Sequence, residues 1–208
     1  MATSATEGEA RRGRPPAATR EQVLDRATRR YLRGERVDVQ SIAAELGLGR
    51  TTIYRWYGSR EGLIGDVLVS VTEPLLAEAR RGARGRGAAK LLDTFDRFNR
   101  SLVDAPALRT FVDQERDAAV RIITSGAGNV QPRNVAMITG VIQDEVDAGR
   151  YDPPVEPETL GYAVVRLAEA FLFNETADAM RDSVDRLREV EAALLGIAPG
   201  RRPRSKPD

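Results

Sequence analysis

A chain that stops one short helix at Gly47 and starts another by Arg50 has little choice of local architecture. In "RVDVQSIAAELGLG", residues 36–49, Asp38 is placed to cap a helix whose Val39, Ile42, Ala43 and Leu46 share one face, because side chains three and four apart stack along a helix. Gly47 permits the positive φ at which such a helix ends, and Leu48 is the apolar anchor of the turn. The next stretch, "GRTTIYRWYGSREGL" at residues 49–63, turns Ile53 and Tyr57 onto one face. Arg50 and Tyr54 fall on one flank, Thr52 and Trp56 on the other, and Thr51 and Arg55 point away from the core. Upstream, "TREQVLDRATRRYL" opens with Thr19 and Gln22 at capping-box spacing and carries a stripe of Val23, Leu24, Ala27, Tyr31 and Leu32. Three short helices thus share one small core. A supporting helix, a tight turn with Gly and a second, outward helix have the layout of a helix-turn-helix, whose second helix is free to enter the major groove of DNA. Taken alone, the second helix also reads, less well, as an ordinary solvated amphipathic helix.

The outward side chains suit DNA by their chemistry. Arg50 can reach guanine O6 and N7 in a bidentate fork, and the methyl of Thr51 can touch that of thymine. Thr52, Tyr54 and Arg60 are better suited to phosphate oxygens, which position a helix without reading sequence. Arg55 could do either. Trp56 either reaches DNA or packs against the first helix, since a large aromatic is usually mostly buried. Gln40, outward on the supporting helix, could add a phosphate or adenine contact.

Charge is informative only when resolved along the chain. The 32 basic and 31 acidic residues nearly cancel. From Arg11 to Arg60, however, twelve arginines face five acids, Glu21, Asp25, Glu35, Asp38 and Glu45. A basic module on a near-neutral body is the footprint of a domain that neutralises phosphates. Ahead of it, "RRGRPP" at residues 11–16 cannot be helical at Pro15 and Pro16. Its Arg12 and Arg14 could lie along an A·T-rich minor groove, or the segment is a solvated, disordered basic arm spanning residues 1–18.

From Arg11 to Leu68 the chain resembles the N-terminal domain of TetR-type bacterial transcriptional regulators, most densely in "IAAELGLGRTTIYRWYGSREGLI". The parts that carry the resemblance are Ile42 and Ala43, Gly47, Thr52-Ile53-Tyr54, and Tyr57-Gly58-Ser59-Arg60-Glu61. Trp56 stands where the family often has His or Tyr, and Gly49 where it often has Ser. The resemblance implies a DNA contact at Gln40 as well.

The rest of the 208 residues is long enough for a second domain with its own core. "GLIGDVLVSVTEPLL" continues as a helix with Leu63, Ile64, Val67, Leu68 and Val71 on one stripe, and Pro74 is expected to bend or end it. "RRGARGRG" at residues 80–87 reads as a flexible link, and Leu91, Leu92, Phe95, Phe98 and Leu102 make a helix stopped near Pro106. A further helix is expected from Pro106 to about Thr124, another from Val130 to Ala148 closed by Gly149, and a final pair over Pro157–Ala177 and Met180–Leu195. No strand pattern competes with these stripes. The expected fold is all-α: a three-helix helix-turn-helix domain at residues 19–65, then a five- to six-helix bundle at 66–196, with a polar tail at 197–208. No apolar run approaches the roughly twenty residues of a membrane span, and no secretory core opens the chain, so a cytoplasmic protein is expected.

The last two helices carry broad apolar faces: Leu160, Val164, Leu167 and Phe171 on one, Leu187, Val190 and Leu194 on the next. They read as a dimer surface, or as faces buried within one chain. In the resembling family the two C-terminal helices pack against their two-fold mates as a four-helix bundle. Two-fold symmetry also suits two recognition helices about 34 Å apart on a palindromic operator. The resemblance further implies a small-molecule effector bound in the bundle. Candidate lining residues are Phe95, Phe98, Phe111, Tyr162, Phe173 and Met137, with the polar insertions Asn99, Arg166, Glu169 and Asn174. Arg166 and Glu169, three apart, could instead pair with each other. "AGRYDPPVEPETLGYAVVRLAEAFLF" is similar to the C-terminal domain of the QsdR-type branch, over roughly residues 105–195, which would imply an acyl- or lactone-like effector.

Enzymatic readings are narrow. With no His and no Cys the chain has no Cys/His nucleophile pair, no His-assisted Ser and no zinc ligands except carboxylates. No Gly-rich phosphate loop follows a strand, and no cofactor is expected. A carboxylate-only site remains, as does a DNA-binding protein without effector, which would need a solid C-terminal core in place of a pocket of roughly a few hundred Å³.

Overall fold

The structure, a computed structural model, describes residues 18–173 and 177–197. The arm with Arg12 and Arg14, Asn174 and the tail beyond residue 197 lie outside the described residues. Ten helices and no strand occur among the described residues. Three short ones come first: α1 (Arg20–Leu32), α2 (Val39–Glu45) and α3 (Arg50–Tyr57). The long α4 (Arg60–Gly82) leads into α5 (Ala88–Asp104), α6 (Pro106–Gln114), α7 (Arg116–Thr124) and α8 (Val130–Asp147). The chain ends in α9 (Pro157–Leu172) and α10 (Ala177–Leu194), which pack on each other and on α8 and α5.

Local chemistry explains the starts and stops. Thr19 Oγ1 accepts the Gln22 N–H at 3.3 Å while the Thr19 N–H donates back to Gln22 Oε1 at 2.8 Å, satisfying two donors that the first turn leaves unpaired. Asp38 Oδ2 accepts the Ser41 N–H at 2.8 Å and caps α2. Gly47, at φ +63°, lets the chain turn from α2 into α3 without strain, and Gly58, at φ +75°, does the same after α3.

Several expectations are corrected. Pro74 does not stop its helix: α4 runs through it, because Val67 and Leu68 before it and Leu76 and Ala79 after it are all buried, and that packing outweighs a cost of about 3 kcal/mol. The link expected at 80–87 is correspondingly shorter. The single helix expected from Pro106 to Thr124 is two, α6 and α7, broken at Glu115 (φ −135°, ψ 46°). Seven helices therefore follow α3, where five or six were expected. Leu32, placed on the core stripe of α1, is exposed at its end.

Two apolar clusters meet across α4. One joins α1, α2, α3, α6 and α7 to Leu172, Phe173 and Leu187, and the other gathers Leu91, Phe95, Ile142, Leu160 and Leu195, with Phe98 packed against both. Residue 65, the expected domain boundary, thus lies inside a helix that serves both clusters, through Leu63, Ile64, Val67 and Leu68 on one side and Leu76 on the other. Gly161 is buried where α9 crosses α8, and a Cβ there would collide with Thr139. No helix among the described residues is long and apolar enough to cross a membrane.

Candidate nucleic-acid interface and effector cavity

The orientation of α3 follows from two anchors. Ile53 is fully buried, and Tyr57 donates its Oη–H to the Arg20 carbonyl at 2.6 Å while the Arg20 guanidinium lies 4.9 Å from the ring centre. With that face fixed against α1, Arg50, Thr51, Tyr54 and Arg55 project into solvent. Tyr54 is 43% exposed. Neither Arg50 nor Arg55 has an ion-pair partner among the described residues, so both guanidinium groups are available to an outside anion. Thr52 lies half-buried on the flank, and Gln40 is exposed on α2. Trp56 is also half-buried and packs against the core, so much of its ring is used in holding α3.

Arg60, expected at a phosphate, is engaged elsewhere. Its Nε donates to the Val37 carbonyl at 2.7 Å, and its two terminal nitrogens grip Glu115 in a bidentate fork at 2.7 and 2.6 Å. The Arg60 guanidinium holds the Glu115 carboxyl below the usual carboxylate range, with Arg36 adding to the effect from 3.7 Å. The break between α6 and α7 is what aims this carboxylate at α4. A second polar tie centres on Asp66 of α4, which is buried and pairs with Arg20 of α1 at 3.0 Å, with Asn129 before α8 and with Arg133 on α8 at 3.5 Å. Gly65 makes room for that Asn129 side chain.

Behind these ties a mainly apolar cavity of about 60 Å³ opens between α4, α5, α8, α9 and α10. It is smaller than the usual drug-sized site of roughly 300–1,000 Å³. Six of the expected residues line it: Phe95, Phe98, Asn99, Met137, Glu169 and Phe173. Three do not. Phe111 packs edge-on against Tyr31 with ring centres 6.0 Å apart, Tyr162 is 52% exposed on α9, and Arg166 reaches outward to the Thr124 carbonyl at 3.1 Å. Arg166 also donates to Glu169 Oε2 at 2.6 Å, so the two do pair with each other.

Sequence reasoning missed the polar lining residues Thr72, Asn134 and Glu191, of which Glu191 is the most buried. Glu191 is fully buried and accepts a hydrogen bond from Asn99 Nδ2 at 3.1 Å. Burial pushes its carboxyl up to about 8, and burial likewise raises that of Glu169 despite Arg166. The available signal was its place on the apolar stripe Val184, Leu187, Leu195, where an acid needs a reason.

The expected dimer faces need correction too. Leu160, Val164 and Leu187 are buried within this chain, because α9 and α10 turn those positions onto α8 and α5. Leu167, Phe171 and Leu194 are half-buried, with Arg186 lying 5.7 Å over the Phe171 ring. Val190, 38% exposed, does project outward, and so does Tyr162.

Residues 86–196 match a family model described as the Tetracyclin repressor-like C-terminal domain. Among solved structures, the chain is similar to the R. erythropolis transcriptional repressor QsdR from the TetR family, at 30% identity over 88% of this chain and 97% of that one, with a TM-score of 0.79. The fold is shared with the TetR family repressor AlkX from Dietzia sp. strain DQ12-45-1b, implicated in biodegradation of n-alkanes, at 21% identity over 85% of this chain and 95% of that one, with a TM-score of 0.56. No curated protein matches the sequence. Ten helices in this arrangement, together with a family model covering more than half the chain, place the protein in the TetR family of transcriptional regulators.

Proposed function

We propose that this protein is a homodimeric, sequence-specific DNA-binding repressor that leaves a palindromic operator when a small molecule fills its cavity. The observation that carries the reading is the outward face of α3, where Arg50, Thr51, Tyr54 and Arg55 stand exposed and neither arginine is committed to an ion pair among the described residues. On this reading Arg50 and Thr51 read base edges, Tyr54 and Thr52 meet phosphates, and Arg55 and Gln40 flank them. Trp56 contributes by holding the helix, and Arg60 by fastening α4, so neither is a principal DNA contact. Arg12 and Arg14 would follow the minor groove from the N-terminal arm. On this reading DNA binding belongs to residues 19–65 and effector binding and dimerisation to 66–196, with α4 running across the boundary and packing into both clusters.

The dimer forms through the outer faces of α9 and α10, around Tyr162 and Val190, since the inner faces are already used. An effector acts only by preferring one separation of the two recognition helices, through a coupling of about 1–3 kcal/mol. A DNA-binding protein without effector fits less well, because a purely structural core has no use for carboxyl oxygens buried without a partner, as Glu169 Oε1 and Glu191 Oε2 are among the described residues.

Arg50→Ala is expected to cost about 1–3 kcal/mol on a preferred duplex and to relax preference at one base position. Tyr54→Phe is expected to weaken preferred and random duplexes alike. Competition fluorescence anisotropy with purified variants separates the two. If Arg50→Ala lowered binding to both duplexes equally, Arg50 would be a positioning contact and α3 would not be reading sequence.

A further inference from the structure

The cavity has an unusual polar balance. Three of its lining residues, Asn134, Glu169 and Glu191, each keep a buried oxygen with no hydrogen-bond partner among the described residues: Asn134 Oδ1, Glu169 Oε1 and Glu191 Oε2. Asn134 Oδ1 is an acceptor, the two carboxyl oxygens are acceptors when their acids are ionised, as a bound cation favours, and the rest of the lining is dominated by Leu, Ile, Val and Phe side chains. Buried acceptors without donors are costly, and native proteins keep few of them. Two nearby donors are already committed, Asn99 Nδ2 to Glu191 Oε1 and Arg166 to Glu169 Oε2 and the Thr124 carbonyl, while Arg188 Nη1, itself without a hydrogen bond among the described residues, lies outside the lining and is ion-paired with Asp96 at 3.2 Å. The space of about 60 Å³ holds about four to six water-sized groups.

From this geometry we infer that the effector is a short aliphatic ammonium, a compact apolar body whose N–H groups donate to Glu191, Glu169 and Asn134. The inference rests on the effector reading above and names the ligand class of that same cavity. A primary ammonium brings three N–H donors and one positive charge to three acceptors, two of them on carboxyl groups. The Glu191 site agrees with this: burial and, more weakly, the nearby Asp96 carboxylate raise its carboxyl, and the neighbouring cation, Arg188, is paired with Asp96 at 3.2 Å, whereas Glu169 already shares Arg166 and offers its second oxygen alone. A lactone or acyl carbonyl, the ligand class expected from the QsdR-type resemblance, brings acceptors to a site already rich in them.

Isothermal titration of the full-length protein with butylammonium chloride, butan-1-ol and γ-butyrolactone at constant ionic strength tests the assignment, with release of bound operator duplex followed in parallel. Butylammonium is expected to bind at least tenfold more tightly than its isosteric alcohol and to release the duplex. Glu191→Gln is expected to abolish that preference while its thermal midpoint stays at or above that of the parent, and Glu169→Gln to reduce it severalfold. Equal or tighter binding of the alcohol or the lactone, or an undiminished preference in Glu191→Gln, would overturn the ammonium assignment. Release of the duplex by the lactone alone would do so while leaving an effector-controlled repressor standing. Binding of butylammonium without any effect on the duplex would keep the ligand class and remove the effector reading, and no binding of any probe would remove both.

Discussion

Replacing Glu145 by alanine lowers the unfolding free energy by about 3–5 kcal/mol, the cost of breaking a buried ion pair from one side. Glu145 of α8 is almost fully buried and accepts from the Gly87 N–H at 3.1 Å, Lys90 Nζ at 3.0 Å and Arg150 at 2.7 and 2.9 Å. One carboxylate thereby ties the start of α5 to the end of α8. Without it the Gly87 N–H is stranded, while Lys90 and Arg150, each about a third exposed, recover part of their hydration, which sets the loss toward the lower end. The Arg150 guanidinium, with Lys90 and Gly87, holds this carboxyl down to about 2 from its ordinary 4.5. A depressed folded-state value means stabilisation that is fully present above about pH 4.5 and is lost as the pH falls toward about 2. Urea denaturation at a series of pH values should therefore find the gap between parent and Glu145→Ala constant from pH 5 to 7 and closing below pH 4.5. A gap independent of pH would mean that the charge of Glu145 contributes nothing.

Arg60→Ala has the second largest expected effect, and it separates two roles. Arg60 bonds Glu115 in a fork at 2.7 and 2.6 Å and the Val37 carbonyl at 2.7 Å, so it joins α4 both to the α6–α7 break and to the segment before α2. Removing it leaves a carboxylate and a carbonyl without their donor, at a cost of about 2 kcal/mol for charged hydrogen bonds. Glu115→Gln should reproduce most of that loss while leaving DNA binding intact, since it spares every exposed group on α3. Were Arg60 a phosphate contact, Arg60→Ala would leave stability unchanged and reduce the salt dependence of DNA binding by about one ion. Denaturation midpoints and salt-dependent anisotropy on the two variants decide between these outcomes.

What the sequence made legible was what neighbours along the chain determine. The capping pair Thr19 and Gln22, the Asp38 cap, the positive φ at Gly47 and the shared face of Ile53 and Tyr57 all depend on residues within four positions, and all are found in the fold. The places where reading failed depend on distant partners. Nothing local to Pro74 reports that α4 is buried on both sides of it. The break at Glu115 makes sense only once Arg60, far back in the chain, is set opposite it. Periodicity identified apolar stripes on α9 and α10 but could not say whether Leu160, Val164 and Leu187 faced a mate or their own bundle. Glu191 carried the opposite ambiguity: a charge among many on a charged helix, distinguishable only by its position on the buried stripe. The roles of Arg50, Thr51 and Tyr54 at DNA rest on side-chain chemistry and exposure together, and neither alone selects among them.

On the proposed reading, two copies of α3 recognise a symmetric DNA sequence. Selection of purified full-length protein on random duplex DNA at about 150 mM salt tests that recognition directly, because non-specific attraction to a basic surface fades at that ionic strength while base contacts persist. Enrichment of a palindrome whose half-sites lie about one helical turn or a multiple apart is the expected result. Enrichment of a single asymmetric half-site would contradict the dimer, and no enrichment, with protein freed of bound small molecules by refolding, would contradict sequence-specific recognition by α3.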